Sequence, residues 1–162
     1  MKHTISVLAE NKFGALARIV GLFTGRGFDI DSISLGESEE RGLARMTIVT
    51  HGDDAIIEQI VKQLNKIVDV IKVTDLTQES FVERELALIK VAANVSNRSE
   101  IMQIVDIFRA KIVDISPRTL TVEATGGEAK VNAIISMLRP FGIKEVARTG
   151  GVALKREFQG ET

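Results

Sequence analysis

The 162-residue sequence contains no cysteine, tryptophan or tyrosine, and only two histidines and two prolines. Without cysteine there is no disulfide, no thiolate zinc site and no thiol nucleophile. Neither sign of charge is in excess: 21 Lys and Arg face 22 Asp and Glu, a formal net charge of −1. Such a balance argues against a dedicated nucleic-acid binder, whose affinity rests on neutralising phosphates. No apolar run approaches the about 20 residues needed to span a bilayer. Met1-Lys2-His3-Thr4 runs straight into an alternating segment and lacks a signal peptide's apolar core and small-residue cleavage site. The expectation is a soluble, cytoplasmic chain. What the sequence does have is aliphatic content: 44% of residues are hydrophobic, enough for a real core in one ordinary domain or two small ones.

Periodicity predicts four helices. Leu16, Ile19, Val20 and Phe23 are spaced i, i+3, i+4, i+7, as are Ile57, Ile60, Val61 and Leu64. The same spacing recurs in Ile101, Ile104, Val105 and Phe108, and in Val131, Ile134, Ile135 and Leu138. Each set lays an apolar stripe along one helix face. Between them lie period-two segments: Ile5-Val7-Ala9, Ile33-Leu35, Ala44-Met46-Ile48 and Ile71-Val73, then Leu86-Leu88, Val91-Ala93, Val113-Ile115, Leu120-Val122-Ala124 and a weaker one near Val146. These read as strands with one face on a core.

The order is β-α-β-β-α-β, twice, an α+β chain of two ferredoxin-like domains. The first is expected over 3–76 and the second over 84–158, joined by a linker at 77–83 whose polar part is Thr77-Gln78-Glu79-Ser80. The halves share local wording, Ile30-Asp31-Ser32-Ile33-Ser34 echoing Ile112-Val113-Asp114-Ile115-Ser116. This motif packs two helices on one sheet face and leaves the other open. Ala87-Leu88-Ile89-Lys90-Val91-Ala92-Ala93 is apolar on both faces, which suits a sheet covered on both sides. Either a second copy or the other half of the chain would provide the cover.

Catalytic hardware is scarce. His3 begins a strand and His51 precedes Gly52-Asp53-Asp54 at a strand-to-helix turn, with no ligand-like spacing between them. Asp53 and Asp54 read as a helix cap and macrodipole partners. Glu37, Glu39 and Glu40 read as a solvated hairpin loop, and Asn97 with Glu100 as a capping box. The pairs Gly126-Gly127 and Gly150-Gly151 match no phosphate-loop template, and the first is read as the turn entering the fourth helix. No catalytic or metal site is expected. Base-stacking aromatics should sit on central strands of this fold. Here Phe13, Phe23, Phe81, Phe108, Phe141 and Phe158 are expected on loops, helices or termini, with only Phe28 at a strand start. An amino-acid sensor that controls transcription would need a helix-turn-helix or a basic stripe, and neither is evident.

One segment stands out, Glu10-Asn11-Lys12-Phe13-Gly14-Ala15-Leu16-Ala17-Arg18, which joins the first strand to the first helix. Gly14 permits positive φ or close backbone approach. Free N–H groups near Ala15 to Ala17 would form an anion site sized for a carboxylate. Asn11 adds an amide with donor and acceptor capacity. A ligand carrying a carboxylate and an ammonium suits such a loop; an ordinary strand–helix turn is the alternative.

Together these residues resemble an ACT domain. The resemblance extends through Ser6-Val7-Leu8-Ala9-Glu10-Asn11, Gly21-Leu22-Phe23, Arg26-Gly27-Phe28 and Arg45-Met46-Thr47-Ile48. It continues through Gln59 to Lys66, Val82-Glu83-Arg84-Glu85-Leu86, Ile107-Phe108-Arg109-Ala110 and Glu145-Val146-Ala147-Arg148-Thr149-Gly150. This ordered set is similar to the small regulatory subunits of acetolactate synthase (acetohydroxyacid synthase). The resemblance implies a non-catalytic homodimer with no cofactor of its own. Its partner is a large catalytic subunit that uses thiamine diphosphate, FAD and a divalent metal to condense pyruvate with pyruvate or 2-oxobutyrate. The small subunit activates that partner and confers feedback inhibition, usually by valine, in branched-chain amino-acid synthesis. No nucleic acid and no membrane is involved. By the same resemblance the effector site comprises Asn11, Gly14, Ala15 and Leu16, completed by Asp29 and Ile30 from the other protomer. Relatives often carry Asn where this chain has Asp29, and Ser where it has Ala17.

Overall fold

The computed structural model describes residues 1–157. Its elements run β1 Lys2–Glu10, α1 Ala15–Gly25, β2 Ile30–Glu37, β3 Leu43–His51, α2 Asp54–Asn65, β4 Val70–Asp75, β5 Phe81–Ala92, α3 Arg98–Ile107, β6 Lys111–Ile115, β7 Thr119–Gly126, α4 Glu128–Leu138, β8 Ile143–Arg148 and β9 Val152–Lys155. By packing, the chain divides into 1–82 with the segment from Val152 on, and 83–151. The strand β9 therefore goes with the first unit, although the expected second domain runs through it. Phe158, the last residue of that expected domain, lies outside the described residues.

The first unit has strand order β2-β3-β1-β4, all antiparallel. Ile5, Val7 and Ala9 of β1 and Met46 and Ile48 of β3 face the helices and are buried with Ile19 and Phe23 of α1 and Ile57, Ile60 and Leu64 of α2. Phe28 seals this core edge-on against Phe23, ring centroids 6.2 Å apart. It precedes β2 by two residues rather than starting it, and Phe81 starts β5 rather than lying in a loop. β1, β3 and β7 carry no aromatic residue. On the sheet's other face Thr4, Ser6, Thr47 and Val49 are also buried. β9 contributes to that cover, with Ala153 buried and its N–H donating to Thr47 Oγ1 at 3.3 Å.

The second unit repeats the plan as β6-β7-β5-β8. Its core gathers Ala87, Ile89 and Val91 of β5, Leu120, Val122 and Ala124 of β7, Ile101 and Val105 of α3, and Val131, Ile134, Ile135 and Leu138 of α4. Leu86-Leu88 and Val91-Ala93 are thus parts of one strand and its exit. Leu88 is 40% exposed, so within this unit β5 alternates rather than being covered on both faces. Inside the unit, Glu85 is buried and held by both arms of Arg148, through Nε to Oε1 and through Nη2 to Oε2 at 3.1 Å. That carboxylate, foremost as a hydrogen-bond acceptor, holds the Arg148 pKa above its usual value.

All four edge strands carry an extra residue that the neighbouring strand does not match. Register shifts pass over Asp31 in β2, Ile71 in β4, Val113 in β6 and Lys144 in β8. Asp31 and Val113 are equivalent in the internal echo, as are Ile71 and Lys144 by their places beside Ala9–Leu8 and Val91–Lys90. Bulges of this kind bend an edge and end its regular pairing. They also correct the strand reading. Ile112, not Val113 or Ile115, packs into the second core, the latter two being 52% and 64% exposed. Likewise Val70 and Val73 pack into the first core while Ile71 is exposed, and Leu35 at the end of β2 is exposed.

Helix starts follow local chemistry. Asp53 Oδ1 accepts the Ile56 N–H at 2.9 Å and caps α2, as expected. Gly127 begins α4. Asn97 does not cap α3. Its side chain accepts the Asn94 N–H at 2.8 Å while the Asn94 side chain accepts the Ser96 and Asn97 N–H groups. The two Asn close a turn upon each other, which consumes the acceptor that a cap would need.

Candidate functional site

The segment linking β1 to α1 is shaped by three backbone ties. Asn11 N–H donates to Gly42 O at 2.8 Å, fixing the loop to the β2–β3 hairpin. Lys12 N–H turns back to Glu10 O, and Ala15 N–H to Lys12 O at 3.2 Å. Gly14 takes φ 89°, a left-handed conformation that L side chains rarely adopt, and opens α1 without a side-chain cap. The first i→i−4 bond is Arg18 N–H to Gly14 O at 3.0 Å. Among the described residues, no acceptor meets the N–H groups of Leu16 and Ala17. Of the amides read from sequence as free, Ala15 to Ala17, the last two are open and Ala15 is spent on the turn that brings Gly14 into place.

Side chains here divide by exposure. Ala15 is buried under the helix, whereas Asn11, Phe13 and Leu16 are exposed. Leu16 thus leaves the apolar stripe in which its spacing had placed it. The loop's charges are paired. Lys12 Nζ sits 2.5 Å from Glu10 Oε2, and Glu10, first as hydrogen-bond partner and then as charge, raises the Lys12 pKa. Arg18 Nε donates to Asp69 Oδ2 at 2.7 Å, and its Nη2 meets the same oxygen. Asp69 is 5% exposed, and its backbone O accepts Glu10 N–H at 2.8 Å. The Arg18 Nη1 arm lies toward Gly14, 3.2 Å from where a Cβ would stand. Sequence reading missed this pair. Its only local signal is an acidic residue between two valines, Val68-Asp69-Val70.

Asp29 and Ile30 precede and begin β2, and the Asp29 carbonyl accepts the Thr50 hydroxyl. Within one chain they are remote from the loop. Glu10 pairs with Leu43 at one end of β3, whereas Ile30 pairs with Thr50 at the other. Seven residues of strand, about 24 Å, separate the two ends. The structure brings Asn11, Gly14, Ala15 and Leu16 together and leaves Asp29 and Ile30 at the far end of the sheet.

No three or more His, Asp or Glu side chains converge as a metal cage among the described residues. None of their helices is long and apolar enough to cross a membrane.

A βαββαβ sandwich with a glycine-opened first helix, followed by a second copy of the plan, is a pair of ferredoxin-like domains, the arrangement to which ACT domains belong. A family model described as the AHAS small subunit-like ACT domain matches residues 5–72, and one for the small subunit of acetolactate synthase matches 84–157. The acetolactate synthase small subunit of Aquifex aeolicus is 55% identical over 158 residues, 97% of this chain and 82% of that protein. The probable small subunit of Methanothermobacter thermautotrophicus is 57% identical over 95% of this chain and 92% of its own length. The crystal structure of the Thermotoga maritima acetolactate synthase small subunit superposes with TM-score 0.88 at 47% identity, covering 96% of this chain and 98% of that one. The chain belongs to the acetolactate synthase small-subunit family, and is a regulatory small subunit with an ACT domain.

Proposed function

We propose that this subunit activates a thiamine-diphosphate-dependent catalytic subunit and makes it sensitive to valine or a related branched-chain amino acid. The observation that carries the reading is the separation of the loop from Asp29 and Ile30. A ligand held by both needs two chains, with the loop of one copy against the β2 start of the other. The effector's carboxylate would take the Leu16 and Ala17 N–H groups, which are preorganised and carry the positive end of the α1 dipole. Asn11 would orient the polar end, and exposed Leu16 would offer apolar contact. Asp29 of the other copy would meet the ammonium.

Such an effector regulates only by its differential affinity for two arrangements of the dimer. The condensation itself belongs to the catalytic subunit, with its thiamine diphosphate, FAD and divalent metal; this chain supplies the sensor. A cytoplasmic location accords with that role.

The test is reconstitution of acetolactate formation with the catalytic subunit, titrating valine, leucine and isoleucine against wild type and Gly14→Asp. Wild type should be inhibited by at least one of them, and Gly14→Asp should resist because its carboxylate competes with the effector's own. Equal inhibition of both proteins would remove the site assignment.

A further inference from the structure

His3 is unused by the regulatory reading, yet it is held in an arrangement that structural burial alone does not explain. Its side chain is 0% exposed on the helix-facing side of β1. Nδ1 lies 3.0 Å from Asp75 Oδ2. An ionised carboxylate can only accept, so Nδ1 is the donor and Nε2 of the neutral ring carries the lone pair. That Nε2 is buried without a hydrogen-bond partner among the described residues. The ring lines a cleft of about 340 Å³ with Asp54, Glu58 and Lys62 of α2, and Asp75 and Gln78.

Asp54 Oδ1 stands 3.9 Å from Nε2. This is too long for a hydrogen bond, and shorter than the about 4.6 Å across which a tetrahedral bridging water would join them. A zinc-like ion bonded to both, at about 2.1 Å to each, wants about 3.4 Å in tetrahedral geometry. Asp54 is 90% exposed and free to swing the difference. Asp75 behind the ring is the carboxylate that orients a metal-bound imidazole and raises its basicity. Its other oxygen, Oδ1, accepts Thr77 N–H at 3.1 Å, which fixes the carboxylate itself. Glu58, one helical turn beyond Asp54, lines the same cleft and is paired with Lys62 at 3.0 Å.

We propose that His3 Nε2 and Asp54 form a binding site for a first-row divalent transition ion, with Asp75 as the orienting second partner and water completing the coordination. An imidazole nitrogen with a carboxylate suits zinc and its neighbours rather than magnesium or calcium, which take oxygen ligands. Two protein ligands make it a weak, exchangeable site rather than a structural cage. The inference is independent of the effector site.

The test is zinc chloride titration of the full chain, followed by calorimetry and by nitrogen-15 NMR of the histidine rings. With only two histidines the spectrum holds two rings, and His51, which faces Asp31 and is half exposed, is the internal control. The expected result is one zinc per chain with movement of the His3 Nε2 signal, retained in His51→Gln. Asp54→Asn, at an exposed position, should weaken binding at least about tenfold, and Asp75→Asn about 10- to 100-fold. No binding, movement of the His51 ring alone, or equal affinity in Asp54→Asn would overturn the proposal.

Discussion

Arg18 and Asp69 are joined across 51 positions of chain, the guanidinium Nε donating to Oδ2 at 2.7 Å. The pair ties α1 to the segment that enters β4 and places one arm of the arginine beside Gly14. Arg18→Ala would leave the Asp69 carboxylate, 5% exposed, without its cation. Removing one partner of a fully buried pair costs about 3–5 kcal/mol. Arg18 itself is 53% exposed, so the expected loss is about 1–2 kcal/mol. Denaturant unfolding would read it. Arg18→Lys should recover only part, since it keeps the charge but loses the fork.

Gly14 carries a second prediction, separable from ligand binding. At φ 89° any side chain is strained, and the new Cβ would stand 3.2 Å from Arg18 Nη1. Gly14→Ala should lower stability by about 1–2 kcal/mol and weaken effector inhibition in part. Gly14→Asp should lose less stability, because aspartate tolerates the left-handed region and can meet Arg18, yet it should lose more inhibition. Comparing thermal unfolding with valine titration of the reconstituted enzyme separates strain from occupation of the anion position. A ranking that ran the same way in both measurements would count against the anion site.

Much of the fold was legible because aliphatic periodicity is unambiguous where helices lie on a sheet. All four helices follow from spacing, and α4 buries every residue of its stripe, Val131, Ile134, Ile135 and Leu138. The edges were less legible. Period two assumes unbroken pairing, and a bulge such as that at Val113 resets the alternation without any composition signal. Leu16 misled for the opposite reason: its spacing fits the stripe, but the buried line of α1 runs i, i+4, i+8 through Ala15, Ile19 and Phe23, which turns Leu16 outward. The loop was visible through Gly14 and Asn11. Two of the three amides it was read to free, those of Leu16 and Ala17, are open; the loss of Ala15 N–H was not legible, since it depends on a turn back to Lys12 O. Asp69 was invisible as a partner because nothing local links it to Arg18. β9 was absent from the reading because Val152-Ala153-Leu154-Lys155 is short and its place depends on the face formed by Thr47 and its neighbours.

In the second unit the same logic applies to Glu85 and Arg148. Glu85 is buried at 5% exposure and Arg148 grips it with two nitrogens. Arg148→Ala should destabilise the protein by about 2–3 kcal/mol, below the full cost of a buried pair because the arginine is partly in water. Glu85→Gln should cost less than Arg148→Ala, since it removes the buried charge while keeping an oxygen for the guanidinium. Measured unfolding midpoints of the two variants test this order, and the reverse order would mean that Glu85 finds solvation the structure does not show.

Asp29 offers the sharpest test of how an effector would be oriented. Its carbonyl is committed to Thr50, but its carboxylate is exposed at the start of β2, so exchanging the side chain should leave stability unchanged. If the carboxylate meets the effector's ammonium, Asp29→Asn exchanges an ion pair for a hydrogen bond from the ammonium to a neutral amide oxygen. An exposed ion pair contributes about 0.2–1 kcal/mol, so valine affinity should fall by up to about fivefold, with acetolactate formation in the absence of valine untouched. Calorimetry of valine against the purified chain, and inhibition of the reconstituted enzyme, should move together. A gain in affinity on Asp29→Asn would reverse the assignment, because asparagine can donate to a carboxylate and ionised aspartate cannot; the effector would then sit with its acid end toward β2 and its ammonium toward Asn11.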